Sequence, residues 1–319
     1  MAANTGSDIV KAASLLKAGG LVALPTETVY GLGANAFDGT AVARVFEAKQ
    51  RPGFDPLIVH IAERNQVDEV ASGVSEIAER LMDAFWPGPL TLVLPRQEAV
   101  SDLVTSGLNT VGVRMPDHAM TREVIRTAGV PIAAPSANLF GRISPTTAAH
   151  VEEQLADRVD YILDGGPCSV GVESTVVRVQ TDEAIVLRPG GLTLEALREV
   201  TDRVRLLKAD GTETTPASPG RTLQHYAPRT RLVVRREPGI SDDERDLKVG
   251  LLSAKPAQES DFDVIENLGS DLRTAAANFF AALRRLDAAK LDLIVATPFP
   301  DEGLGLALND RLSRAAVEK

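Results

Sequence analysis

The sequence predicts a mixed α/β protein built of two unequal units. Short apolar runs of strand length alternate with stretches of helical period from residue 8 to residue 200. Residues 207–229 are rich in Thr, Pro and Gly, carry no apolar periodicity and read as a linker. Beyond them strand and helix patterns resume over 230–319, enough chain for a second, smaller α/β domain. A length of 319 residues also favours two domains over one.

The first helix spans 8–18, with Ile9, Ala12, Ala13 and Leu16 on one face, Ser7 as its cap and Gly19-Gly20 as its stop. The apolar run 21–24 follows as a short buried strand. A helix near 40–49, a strand at 57–61, a helix at 74–84 and strands at 90–94 and 110–114 continue the alternation. Asp117 opens a helix over 117–128, and a strand at 131–134 comes next. A helix starts at about 145, with Ser144 as cap and Pro145 at its first position, where proline's fixed φ and missing N–H cost nothing. Strands near 160–164, 174–179 and 184–187 and a helix at 193–200 close the first unit. In the second unit the strands are 231–235, 249–253 and 291–296, and the helices 271–286 and 304–317.

Composition narrows the function. With 44% hydrophobic residues the chain can bury sizeable cores. A formal charge of -10 argues against coating nucleic acid through overall basicity, because phosphate contacts need clustered Lys and Arg, although a local basic surface stays open. The single cysteine, Cys168, cannot form an internal disulfide. The start M-A-A-N-T-G-S-D lacks a secretory pattern, and no apolar run reaches the ~18 residues of a membrane helix. A cytoplasmic chain without a membrane partner is the expectation.

Two separated stretches concentrate polar chemistry: L-P-T-E-T-V-Y-G-L-G at 24–33 and A-P-S-A-N-L-F-G-R-I-S-P-T at 134–146. Each places hydroxyls, glycines and prolines directly after a short apolar run, as site loops at strand ends do. There is no G-x-x-x-x-G-K-[ST] loop, no G-x-G-x-x-G after the first strand and no Cys or His pair at zinc spacing. Any nucleotide must be held another way, and no protein-built metal site is expected.

Lys49 and Arg51 leave a helix end together before Pro52, either to meet a polyanion or to complement the helix dipole. His60 ends the next strand, as a structural residue or a site residue. Arg114 ends a β-branched strand at the same relative position, and its guanidinium fork suits a carboxylate, a phosphate or a surface ion pair. In A-A-P-S-A-N, 133–138, Ser136 and Asn138 offer donors and acceptors beyond a strand. No G-x-S-x-G elbow surrounds that serine, so binding is a more economical role than nucleophilic attack. Ser174 and Arg188 fall at strand margins beside glycines that permit close approach of a ligand. Cys168 has no nearby His or Lys to activate it and reads as a bystander. At least three cations and several hydroxyls without a carboxylate dyad suit a triphosphate held beside a small amino or carboxylic acid. Chemistry there runs through positioning and charge stabilisation.

The stretches P-T-E-T-V-Y-G-L-G, K-Q-R-P-G-F-D-P-L-I-V-H, W-P-G-P-L-T-L-V-L, P-S-A-N-L-F-G-R-I-S-P-T and the loop 164–177 closely resemble, in order, the YrdC-like threonylcarbamoyl-AMP synthases. S-P-G-R-T-L-Q-H-Y-A-P at 218–228 and G-L-G-L-A-L-N-D-R-L-S-R-A-A at 303–316 resemble the long, two-domain form of that family. The resemblance implies a twisted open sheet whose helices form a concave cavity, with a smaller C-terminal Rossmann-like α/β domain. The division would be a catalytic domain over 1–206, a linker or lid over 207–229 and the C-terminal domain over 230–319.

The resemblance further implies a nucleotidyl transfer: ATP with Mg2+, bicarbonate and L-threonine give threonylcarbamoyl-AMP, pyrophosphate and water. A downstream threonylcarbamoyltransferase would then modify an adenosine next to the anticodon of tRNA. Carried over by motif, Thr26, His60, Arg114, Ala134 (through its backbone) and Ser174 would surround threonine. Lys49, Arg51, Thr110, Ser136, Asn138, Ser144 and Arg188 would surround ATP, with His225 or Tyr226 covering the nucleotide and Lys49 and Arg51 acting on the phosphates. Two departures stand out: Arg221 to Gln224 precede H-Y-A-P where the family commonly has S-P-G-M and basic or aromatic residues, and Phe54 and Asp55 replace a smaller residue and often Asn. The competing reading is a translation-associated RNA-binding protein that uses Lys49, Arg51, Arg142 and Arg188. Acidic charge and a 4% aromatic content weigh against it, because single-strand binders stack bases. A carbamoyltransferase subdomain like that of hydrogenase-maturation proteins is a third reading, against which the lone cysteine counts, since it cannot build their zinc finger.

Overall fold

A computed structural model describes residues 4–53, 55–180, 183–207, 225–255 and 261–316. Most of the expected linker and lid, 208–224 with the Arg221 to Gln224 departure, lies outside the described residues, as does Phe54. Two sheets organise the rest. The larger comprises β1 (Thr5–Gly6), β2 (Val22–Leu24), β3 (Gly31–Asn35), β4 (Ile58–His60), β5 (Leu90–Pro95), β6 (Thr110–Arg114), β7 (Ile132–Ala133), β8 (Tyr161–Leu163), β9 (Thr175–Gln180), β10 (Glu183–Arg188) and β11 (Val204–Leu206). Their spatial order is β1-β8-β2-β3-β7-β4-β6-β5-β9-β10-β11, with parallel and antiparallel neighbours mixed. An open sheet of this width accumulates the right-handed strand twist. The smaller sheet holds β12 (Arg231–Val234), β13 (Val249–Ser253), β14 (Val264–Asn267) and β15 (Leu293–Ala296) in the order β12-β15-β13-β14, every pair parallel. Parallel strands covered on both faces read as continuous apolar runs, and V-G-L-L-S and L-I-V-A are buried throughout.

Three helix starts differ from the sequence expectation. The first helix, Ile9–Lys17, is capped by Asp8 rather than Ser7: the Asp8 carboxylate accepts from the Lys11 amide at 2.9 Å. The helix Ala119–Ala128 has His118, one residue after Asp117, at its N-cap. The third helix begins at Ala148, not near 145, and Thr147 caps it through the His150 amide. Ser144 and Pro145 are engaged elsewhere: the Ser144 hydroxyl bonds Glu173, and the Pro145 carbonyl accepts from the Tyr30 amide at 2.9 Å. Ser144 and Pro145 therefore precede the helix rather than open it.

Strand β3 was not expected from its sequence, because G-L-G-A-N is glycine-rich and short of β-branched residues. It forms because β2 and β7 pair with it on either side. A Cβ on Gly33 would lie 2.8 Å from Ile132 Cγ2, so glycine is what lets the strand sit so close to its neighbour.

One hydrophobic cluster joins the two units. Val29, Ile143 and Val172 pack with Tyr226, Phe279, Phe280 and Leu283, the last three from the helix Leu272–Ala288. Gly171, at φ +78°, permits this: a Cβ there would stand 2.3 Å from the Ala276 carbonyl oxygen of that helix. Each large apolar side chain so buried contributes roughly 1.5–3 kcal/mol. Arg284 of the same helix adds charge pairing to Glu153 at 3.2 Å and donates to the Ile143 carbonyl at 2.5 Å. The smaller unit is thus seated on the loops that carry Val29, Ile143 and Val172, next to the polar stretches. No helix among the described residues is long and apolar enough to cross a membrane.

Candidate active site

The two polar stretches meet. Gly31 and Ser136 form an antiparallel bridge, Leu32 donates to the Pro135 carbonyl at 2.8 Å, and Ala137 donates to the Tyr30 carbonyl at 2.8 Å. They form adjoining walls of a cleft at the strand ends. Thr26, Arg51, His60, Arg114, Ala134, Ser136, Ser174, Arg188, His225 and Tyr226 all line it. Of the other residues expected here, Lys49, Asn138 and Ser144 are buried immediately behind the wall, and Thr110 lines a separate small cavity with residues of β4, β5 and β9.

At one end stand His60 and Arg114. They are register partners at the ends of the parallel strands β4 and β6, which explains why two residues 54 positions apart arrive side by side. Arg114 Nη2 lies 2.7 Å from Glu27 Oε1, a buried charge contact without hydrogen-bond geometry, and the Glu27 carboxylate accepts no hydrogen bond from a described residue. Burial first, then the Arg114 charge, lowers the His60 pKa to about 3, so the ring is neutral at neutral pH. Thr26 shapes the turn below: its hydroxyl donates to the Val29 carbonyl at 2.6 Å and accepts from the Thr28 and Val29 amides. The Ala134 amide is taken by the Ile58 carbonyl at 2.9 Å.

The other end is rich in cations. Lys49 closes the helix Gly39–Lys49, which stops because Gln50 turns left-handed at φ 53°. Its Nζ donates to the carbonyls of Ser136 and Asn138, both at 2.5 Å, and its own carbonyl accepts from the Phe140 amide, so the 134–146 stretch wraps around it. Burial and the neighbouring Arg51 lower the Lys49 pKa well below the usual lysine value. Arg51 pairs with Asp55 at 2.8 Å and donates to the Asp55 and Pro56 carbonyls. Asp55 thus holds the guanidinium at the wall. Asn138 spends its amide on the Leu139 and Arg142 carbonyls, which fixes the loop. Arg188 donates to the Ser174 carbonyl at 2.8 Å and reaches its hydroxyl at 3.3 Å, linking the two ends, while Ser174 also bonds Thr91.

His225 and Tyr226 close the cleft. Their rings lie 4.2 Å apart, with Phe140 edge-on to His225 and Phe280 tilted against Tyr226. Burial, Arg51, Lys49, Arg188 and Arg314 together drive the His225 pKa well below its ordinary value. Burial pushes the Tyr226 phenol up to about 12, and its hydroxyl makes no hydrogen bond to a described residue.

Three charged residues of this site were not singled out from sequence. Glu27 sits between two threonines in P-T-E-T, and Glu173 directly precedes Ser174; position within the motifs was the available signal. Arg311 comes from the C-terminal motif and pairs with Glu173 at 3.0 Å. The expectation of no carboxylate dyad is refined: carboxylates border the cleft, but each is committed to an arginine. Cys168 is buried, and burial raises its thiol pKa to about 12, in keeping with a bystander. Lys49, Arg51 and Arg188 are buried inside the walls rather than spread over a surface, which disfavours an RNA-backbone interface.

A family described as "Telomere recombination", covering Sua5, YciO and YrdC sequences, matches residues 14–190, and the family "Threonylcarbamoyl-AMP synthase, C-terminal domain" matches 192–317. The threonylcarbamoyl-AMP synthase of Bacillus subtilis is 45% identical over 97% of this chain and 92% of its own length. The chain belongs to the threonylcarbamoyl-AMP synthase family. The enzyme of that name from Pyrococcus abyssi is 43% identical over 96% of this chain and 93% of its own. The crystal structure of P. abyssi Sua5 complexed with L-threonine superimposes with a TM-score of 0.91 at 41% identity, covering 99% of this chain and 98% of that one. The resemblance seen in the motifs therefore extends to the whole two-domain fold.

Proposed function

We propose that this chain is an adenylyl-transferring enzyme that makes threonylcarbamoyl-AMP from L-threonine, bicarbonate and ATP, with release of pyrophosphate and water. The observation that carries this is one cleft with two chemically different ends: Arg114 and His60 at one, Arg51 and Arg188 at the other with Lys49 buried just behind them. A guanidinium paired with Glu27 and flanked by neutral hydrogen-bonding groups suits an amino acid zwitterion, whose carboxylate the guanidinium fork receives. Clustered buried cations suit a polyphosphate.

In this reading Arg114 clamps the threonine carboxylate, while the Thr26 and Ser174 hydroxyls and the Ala134 backbone meet its other polar atoms. The threonine amine takes up carbon dioxide from bicarbonate as a carbamate. A carbamate oxygen attacks the α-phosphorus, the bond from that phosphorus to the bridging oxygen breaks, and pyrophosphate leaves with the electron pair. Lys49, Arg51 and Arg188 offset the charge on the phosphates, and Ser136 borders the nucleotide. The cleft residues thus need to supply no nucleophile; their work is orientation and charge stabilisation. Mg2+ enters as the ATP complex, held mainly by phosphate oxygens. His225 and Tyr226 cover the nucleotide and exclude water from the carbamate. In this reading the product serves a threonylcarbamoyltransferase that acts on tRNA, in the cytoplasm.

The test is pyrophosphate release by purified protein given ATP, Mg2+, bicarbonate and labelled threonine. Release should require both threonine and bicarbonate and yield a labelled adenylate. Release indifferent to either one would end this reading.

A further inference from the structure

The motif G-L-G-L-A-L-N-D-R-L-S-R-A-A forms the helix Gly305–Ala315 of the smaller unit, and the proposed chemistry uses none of it. Its Arg311 is nevertheless 0% exposed and points into the back of the catalytic wall. Arg311 Nε meets Glu173 Oε2 at 3.0 Å, and the other oxygen of that carboxylate accepts from the Ser144 hydroxyl at 2.6 Å. Arg311 Nη1 donates to the Pro189 carbonyl at 2.6 Å, one residue beyond Arg188. Its guanidinium carbon lies 5.4 Å from the centre of the Tyr226 ring. One turn along, the Arg314 carbonyl accepts from the His225 amide at 3.4 Å, and Asp310 bridges Arg311 and Arg314 at 2.9 Å to each.

One side chain therefore touches three separate pieces of the nucleotide end: the Glu173 loop, the turn after β10 and the covering tyrosine. Burying a guanidinium costs several kcal/mol, and apolar packing alone would hold two domains together without that cost. What the arginine adds is charge and a fork. Glu173 lines the cleft where a polyanion is proposed to lie, and a bare carboxylate there would repel it. Arg311 covers that charge while its fork sets the positions of Glu173 and Pro189.

We propose, on the ATP placement argued above, that Arg311 is a positioning residue of the nucleotide site: through Glu173, Ser144, Pro189 and Tyr226 the C-terminal unit completes the wall that receives ATP. The role of that unit is then to finish the active site, beyond adding bulk to the fold.

The test compares the full-length protein with Arg311→Met, Glu173→Gln, the double variant and Val295→Ala, measuring KM for ATP and for threonine by pyrophosphate release. Arg311→Met should raise the ATP KM by about tenfold or more, as removal of one member of a buried charge pair does, with the threonine KM nearly unchanged. Adding Glu173→Gln should recover most of that loss, because it removes the exposed charge. Val295→Ala opens the core on the opposite face of the smaller sheet, among Val249, Leu251, Phe262 and Leu293, away from the wall, and should lower Tm while leaving the ATP KM in place. An unchanged ATP KM in Arg311→Met, equal movement of both KM values, or no recovery in the double variant would overturn the inference. If Arg311→Met does not fold, Arg311→Gln with and without Glu173→Gln gives the same comparison, since glutamine removes the charge yet keeps donors for its neighbours. Wild-type protein that makes no adenylate would instead overturn the functional reading itself.

Discussion

The two ends of the cleft solve different electrostatic problems with similar residues. At the Arg114 end the cation already has a carboxylate, Glu27, within 2.7 Å, and the adjacent His60 is neutral. That end is close to charge balance before any ligand arrives. At the Lys49 end, Lys49, Arg51, Arg188 and Arg311 face Asp55 and Glu173, and burial together with the charges of Arg51, Lys49, Arg188 and Arg314 pushes the His225 pKa well below its ordinary value. A balanced pocket suits a zwitterion of zero net charge, and a cation-rich one suits a triphosphate. The sign and balance of charge sort the two substrates, with Ser174 and Arg188 as the seam between them.

The largest effect that would break this contrast is in stability. Glu27→Gln leaves Arg114 buried without its counter-charge and should cost about 3–5 kcal/mol, read by urea unfolding. A loss below about 1 kcal/mol would mean that Glu27 does not balance this end. Next comes the pH dependence. The folded His60 pKa, near 3, lies below the ~6.5 of an unfolded histidine, so the unfolded chain binds more protons between those values. Stability is therefore lost as pH falls from about 6.5 towards 3, by up to about 1.4 kcal/mol per pH unit for this group. His60→Gln should flatten that slope relative to wild type; matching slopes would show that His60 is not held neutral. The smallest effect belongs to the covering tyrosine. Its hydroxyl has no described partner, so Tyr226→Phe should leave stability within about 1 kcal/mol of wild type. The ATP KM should rise all the same, and an unmoved value would assign the hydroxyl no part in nucleotide binding.

Periodicity located most of the elements because the buried strands and amphipathic helices of both units carry clear apolar patterns. It failed where tertiary pairing overrides local preference. Strand β3 is glycine-rich and exists because two neighbours enclose it. The helix expected at Pro145 starts later because Ser144 and Pro145 bond distant groups, Glu173 and Tyr30. The same divide runs through the site. Lys49, Arg51, His60 and Arg114 were visible as cations and a histidine at element ends. Glu27, Glu173 and Arg311 were not, because their meaning lies in pairings across 87, 29 and 138 positions with Arg114, Ser144 and Glu173. Sequence spacing alone does not report such contacts.

The central claim, that the cleft separates an amino acid end from a polyphosphate end, is tested most directly by crossed substrate titrations of Arg114→Ala and Lys49→Ala. With pyrophosphate release as the readout, Arg114→Ala should raise the threonine KM by about thirtyfold or more, the scale of a truncated buried charge pair, and barely move the ATP KM. Lys49→Ala should do the reverse, impairing use of ATP while threonine binding holds. An exchange of those two patterns, or equal movement of both KM values in both variants, would contradict the account.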